Sequence, residues 1–139
     1  MSRVLCFDYG LRQIGVAVGN AALQTAEPLC TLKAQDGIPN WDQLAALLEE
    51  WQPAIVVVGE PSNMDGTDSD MAARARKFAN RIHGRFGVKV ALADERLSSF
   101  EAKQQAREMG HDGDYKKTPI DALAAMIILQ SYFETAQSP

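Results

Sequence analysis

Val4-Leu5-Cys6-Phe7-Asp8-Tyr9-Gly10-Leu11-Arg12-Gln13-Ile14-Gly15-Val16-Ala17-Val18-Gly19 is two apolar runs joined by a short polar, glycine-containing link. Val4 to Asp8 reads as a short buried strand. Gly10 and the polar Arg12-Gln13 make a turn, and Ile14 to Gly19 reads as a second strand. A connection this short implies an antiparallel hairpin. Asp8 thus leaves a buried strand at a glycine turn, where a carboxylate is costly to bury without a positive partner. Mg²⁺ can be that partner, since it takes one or two carboxylates plus waters. An Asp that caps the turn is the other account of the same residue.

Working outward, a third strand is expected from Glu27 to Leu32. Asn40 opens a helix with Gln43 as its capping-box partner, and Trp41, Leu44, Leu47, Leu48 and Trp51 fall at helical spacing before Pro53. Ala54 to Gly59 is continuously apolar, as suits a central strand covered on both faces. A polar loop, Glu60 to Ser69, precedes a long helix from Asp70 to Phe86, closed near Gly87. Val88 to Ala93 is a fifth strand. Ser98 and Glu101 form a second capping-box pair, on a helix that ends at Gly110. His111 to Lys117 reads as a mobile loop. Thr118-Pro119 starts a last, mostly apolar helix to Phe133, and Thr135 to Pro139 is expected to fray. The order β-β-β-α-β-α-β-α-α predicts an α/β fold: a mixed five-stranded sheet with helices on both faces. RNase H-like domains have that order, as do the half-domains of sugar kinases, actins and acetate kinases.

At 139 residues the chain is expected to form one domain, 1–139. Hydrophobic residues make up 46% and charged residues 23%, ordinary for a soluble globular protein. Nothing is apolar enough to cross a bilayer, and Met1-Ser2-Arg3 runs directly into a strand without a signal-peptide core, so a cytoplasmic location is expected. Cys6 and Cys30 lie in apolar strands with no partner at metal-ligand spacing and read as two reduced, buried thiols. The net charge of -4 excludes a strongly basic, non-specific nucleic-acid binder but leaves room for a local basic surface.

Two more segments carry acids at element ends. In Ala93-Asp94-Glu95-Arg96-Leu97-Ser98, strand alternation sends Asp94 and Glu95 to opposite faces, so only one can join Asp8. In Thr118-Pro119-Ile120-Asp121-Ala122-Leu123-Ala124-Ala125, an acid in the first turn also suits the helix dipole. The alanines that follow let this helix lie close to the sheet. Asp8, Glu95 and Asp121 come from separate elements and could converge at the strand ends. Three close carboxylates repel one another unless cations neutralise them. Two metal ions about 4 Å apart would do so and would clamp both oxygens of a phosphodiester displacement. His83 and His111 have no triad or zinc spacing.

One helix face carries Arg74, Lys77, Arg81 and Arg85 at i, i+3, i+7 and i+11, beside a core stripe of Met71, Ala75, Phe78, Ile82 and Phe86. This is either a solvated face or a phosphate track. Arg76, Lys103, Arg107, Lys116 and Lys117 add positive charge elsewhere.

At these residues the chain resembles the YqgF family, also called RuvX, of pre-16S rRNA nucleases or Holliday-junction resolvase-like proteins. The resemblance rests on Asp8-x-Gly10 with Gly15-Val16-Ala17-Val18, Gly59-x-Pro61-x-Asn63-Met64-Asp65-Gly66, Arg74-Ala75-Arg76-Lys77-Phe78, Asp94-Glu95-Arg96-Leu97-Ser98 and Asp121-x-x-Ala124-Ala125, in order along the whole chain. It implies an RNase H-like nuclease fold and a cytoplasmic hydrolase dependent on Mg²⁺ or Mn²⁺ that matures the 5′ end of 16S ribosomal RNA. Catalytic and metal roles fall on Asp8, Glu95 and Asp121. Nucleic-acid contacts fall on Arg74, Lys77, Arg81, Arg85, Asn63 and Arg96. The implied partner is structured RNA or branched DNA, bound by a monomer or weak homodimer without a membrane. Family members usually carry leucines where this chain has Glu60 and Ser62, so Glu60 is either an extra ligand or a change in the loop. Two further readings stay open: a nucleotide-binding phosphotransferase, which at this length would need a dimer, and a non-cleaving RNase H-like module.

Overall fold

The opening hairpin is present: β1 (Arg3–Asp8) pairs antiparallel with β2 (Gln13–Asn20), Asp8 opposite Gly15. The structure, a computed structural model, describes residues 2–60, 70–94 and 120–136. The expected capping box at Ser98 and Glu101 with its helix, the His111 to Lys117 loop, Thr118-Pro119 and the end of the tail lie outside the described residues. So do Asn63, Glu95 and Arg96.

β3 (Thr25–Gln35) pairs antiparallel with β2, and a short β4 (Ile38–Pro39) pairs antiparallel with β3. After helix α1 (Trp41–Trp51), β5 (Ile55–Glu60) lies parallel to β1. Helix α2 (Asp70–Phe86) leads to β6 (Val90–Asp94), parallel to β5, and helix α3 (Ile120–Ala136) ends the described chain. The strand order is β4-β3-β2-β1-β5-β6. The architecture is the expected mixed α/β sheet with one correction: six strands replace five. The extra strand is β4, which returns on β3 through Asp36-Gly37, both at positive φ (51° and 81°), the geometry of a tight hairpin turn.

β3 is also longer than its apolar stretch. It admits Pro28 because the β2–β3 register shifts between Val16 and Ala17, whose partners are Cys30 and Pro28. A missing N–H is tolerated at such an irregularity. α1 starts where Asn40 accepts hydrogen bonds from the N–H groups of Asp42 (2.9 Å) and Gln43 (3.2 Å). It ends at Gln52, whose left-handed backbone (φ 43°) donates to Leu48 O. α2 closes at Gly87 as expected, Gly87 N–H donating to His83 O.

Strand alternation divides the core in two. Leu5, Phe7, Ile14, Val16, Val56 and Val58 pack beneath α1 and α2 against Leu44, Ala75, Phe78 and Ile82. On the other face Val4, Cys6, Ala17 and Val57 pack against Ala125, Ile128, Leu129 and Phe133 of α3. Burying both faces of β1 and β5 explains their unbroken apolar sequences.

Candidate active site and nucleic-acid interface

The C-terminal ends of β1 and β5 and the start of α3 meet at one edge of the sheet. Asp8 is the last residue of β1 and is half-buried. It is an even-numbered residue like Val4 and Cys6, so it shares their face, the one that α3 covers. In register beside it stand Gly15 on β2 and Gly59 on β5, with Ala93 of β6 beyond Gly59. The row therefore carries one acid and only small side chains around it.

Gly15 fixes how close α3 comes. A Cβ there would collide with the backbone carbonyl of Asp121, and its distance to the Ala122 nitrogen would be 3.0 Å. Only a residue without a side chain lets the first turn of α3 rest on β2 directly opposite Asp8. Asp121, also half-buried, is thereby held at the same sheet edge and on the same face as Asp8. The small, fully buried Ala122 and Ala125 continue that close contact along the helix.

β6 delivers Ala93 to the α3 side of the sheet, and Asp94 is its last residue, in register with Glu60 of β5. Among the described residues no cluster of three or more Asp, Glu, His or Cys comes together. The structure sets the backbone of Asp121 against Gly15, the β2 residue that pairs with Asp8. Asp8 and Asp121 both offer carboxylate oxygens, with no imidazole or thiolate in the set, and oxygen donors of this kind fit a hard divalent cation such as Mg²⁺ or Mn²⁺. His83 is exposed and its Nδ1 lies 2.9 Å from Val88 O, a local contact at the end of α2. Cys6 is buried as expected and Cys30 only half-buried, and neither is in a disulfide.

The basic face of α2 lies on the opposite side of the sheet. Ala75, Phe78 and Ile82 face the core, while Arg74, Lys77, Arg81 and Arg85 reach the surface. They do not act alike. Arg85 sits over the Trp41 ring, 4.3 Å from its centroid, a cation–π contact that joins α2 to α1. Arg74, Lys77 and Arg81 line a cleft of about 320 Å³ whose floor includes Tyr9 and whose far wall is the Asp36-Gly37 turn. Arg74 Nη1 lies 3.2 Å from Asp36 Oδ1. The Tyr9 ring packs on Phe78 at 5.2 Å. Burial pushes its phenol above the ordinary range, against the pull of Arg74.

Sequence reasoning assigns no role to Tyr9 or Asp36, and Gly15 enters it only as part of a family pattern. A signal exists for two of the three. Asp36-Gly37 is a hairpin-turn dipeptide, and a glycine inside a strand marks a close backbone approach.

No described helix is long and apolar enough to cross a membrane. Residues 2–135 match the family model RuvX, described as Holliday junction resolvase. A protein of Chromohalobacter salexigens named "Putative pre-16S rRNA nuclease" is 59% identical over 130 residues, 94% of this chain and 88% of that one. One of the same name from Shewanella denitrificans is 56% identical over 131 residues, covering 94% and 93%. Two solved structures share the fold at low identity. The T. thermophilus RuvC complex with Holliday junction substrate has TM-score 0.58, 15% identity and covers 99% of this chain and 97% of its own. The Fowlpox virus resolvase complex with Holliday junction DNA has TM-score 0.59, 17% identity, and covers 98% and 99%.

Proposed function

The chain belongs to the RuvX family, and from that premise we propose that it is a cytoplasmic, Mg²⁺- or Mn²⁺-dependent phosphodiesterase that trims the 5′ end of pre-16S ribosomal RNA. The observation that carries the proposal is the seating of α3 on Gly15, which holds Asp121 at the sheet edge where Asp8 ends β1. Two half-buried carboxylates converging from different elements suit cation binding better than they suit capping, since capping needs neither the convergence nor the glycine. Glu95 is assigned the third place. It comes two residues after Ala93, which already lies on the α3 side of β6.

Asp8, Asp121 and Glu95 would hold the ion, each through carboxylate oxygens. The bound cation would supply charge neutralisation at the scissile phosphate and a water acidified towards neutral pH. The rest falls to the chain itself. β1, fixed between β2 and β5, holds the Asp8 backbone in place. The N-terminal end of α3, the positive end of its dipole, lies at this edge, which favours an approaching phosphodiester. Arg74, Lys77 and Arg81 of α2 bind backbone phosphates away from the reacting bond. RNA is favoured over branched DNA because the relatives above 50% identity carry the rRNA name, whereas the junction-bound structures share only the fold.

The test is a cleavage assay on a 16S precursor RNA and a four-way DNA junction, with Mg²⁺, Mn²⁺ or EDTA. Metal-dependent cutting of the precursor is expected. Cutting that is unaffected by EDTA contradicts the metal role, and cutting of the junction alone transfers the proposal to DNA.

A further inference from the structure

Asp36 is the one acid among the described residues lining an otherwise cationic cleft. Its carboxylate reaches Arg74 at 3.2 Å, with 46% of the Arg74 side chain and 75% of the Asp36 side chain open to solvent. Such an exposed ion pair is weak and easily exchanged. A carboxylate and a phosphodiester present the same anionic oxygens to a guanidinium. Lys77 and Arg81, three and seven residues beyond Arg74 on the same helix face, line the same cleft and make no ion pair with a described residue. Gly37 lets the turn close against the Tyr9 hydroxyl, which a Cβ there would strike. Tyr9 follows Asp8 directly, and the two point to opposite faces of the sheet. A strand lying in the cleft therefore reaches the acidic edge by passing around the end of β1.

We propose that the cleft between α2 and the Asp36-Gly37 turn is a phosphate subsite for the substrate's backbone, and that the Asp36 carboxylate occupies it until the nucleic acid displaces it. The subsite rests on the nuclease reading above and refines it. Arg74 contributes to binding only after Asp36 has let go, while Arg85 belongs to helix packing.

The test measures binding of a fluorescein-labelled single-stranded oligoribonucleotide by anisotropy in EDTA across a salt series. Asp36→Asn keeps a side chain that tolerates positive φ, so the turn should fold. It is expected to tighten binding about two- to fivefold and to steepen the salt dependence by about one phosphate contact. Glu134→Gln, exposed on α3, removes the same charge on the other face of the sheet and should leave both quantities nearly unchanged. Arg74→Gln should cost more in the Asp36→Asn background than in the parent, because there the guanidinium binds phosphate without first giving up a carboxylate. Equal effects of Asp36→Asn and Glu134→Gln, or equal costs of Arg74→Gln in both backgrounds, would overturn the subsite while leaving a general basic track. If Arg81→Glu also leaves affinity and salt slope untouched, α2 does not bind nucleic acid and the reading beneath the proposal fails with it.

Discussion

Asp8 and Asp121 are both half-buried, and their value to the protein depends on what neutralises them. Asp8→Asn keeps the shape and removes the charge. It should lower metal-dependent cleavage by at least about a hundredfold. The near-isosteric side chain should leave the far-ultraviolet circular dichroism of the parent unchanged. A large loss of stability without loss of cleavage would make Asp8 a structural turn residue. Tyr9 and Cys30 allow a pH prediction. Desolvation raises both, with Arg74 opposing it at Tyr9 and Glu50 reinforcing it at Cys30. A group whose folded pKa lies above its unfolded value contributes stability that is complete at lower pH and disappears as pH rises through the folded value. Stability should thus be flat through neutral pH and fall in the alkaline range, and Tyr9→Phe/Cys30→Ala should flatten that fall. An unchanged alkaline limb in melting curves of the double variant would rule these two groups out as its cause.

Among the elements, α3 depends on Gly15 and α1 on Asn40. Gly15→Ala forces Cβ against a backbone carbonyl, so α3 must move or the strand must bend. Overpacking of this kind costs about 1–3 kcal/mol, and cleavage should fall much further than stability as Asp121 leaves the edge. Proportionate loss of the two would mean that the close approach serves packing alone. Asn40→Ala removes the acceptor for two N–H groups and should cost about 1 kcal/mol in chemical denaturation without altering cleavage per folded molecule. The same elements show what is legible in the sequence. β1, β2, β5 and α2 carry long apolar or periodic signals, and the Asn40 cap and the Gly87 stop stand where their chemistry requires. β4 escapes such a reading because two residues carry no periodicity, and its only trace is the Asp36-Gly37 turn. Asp8 and Asp121 can be named from element ends, but the seating of the Asp121 backbone against β2 depends on Gly15, whose meaning appears only once α3 lies on it. The basic face of α2 is legible as a stripe. Its division between a cleft, an Asp36 pair and a Trp41 contact arises from other elements, which no helical periodicity can reveal.

For the whole molecule, a sheet covered on both faces leaves its C-terminal edge as the place where acids from one side and cations from the other can serve one substrate. The RuvX family match supports the nuclease reading. The central claim is that the Asp8 edge holds the cation that makes this chain a nuclease. Mn²⁺ soaked into crystals of the protein, located by its anomalous scattering, tests it most directly. The account predicts a peak in contact with the carboxylates of Asp8 and Asp121, absent in Asp8→Asn crystals. A protein that cuts RNA in Mn²⁺ while its only bound Mn²⁺ lies away from Asp8 would contradict it.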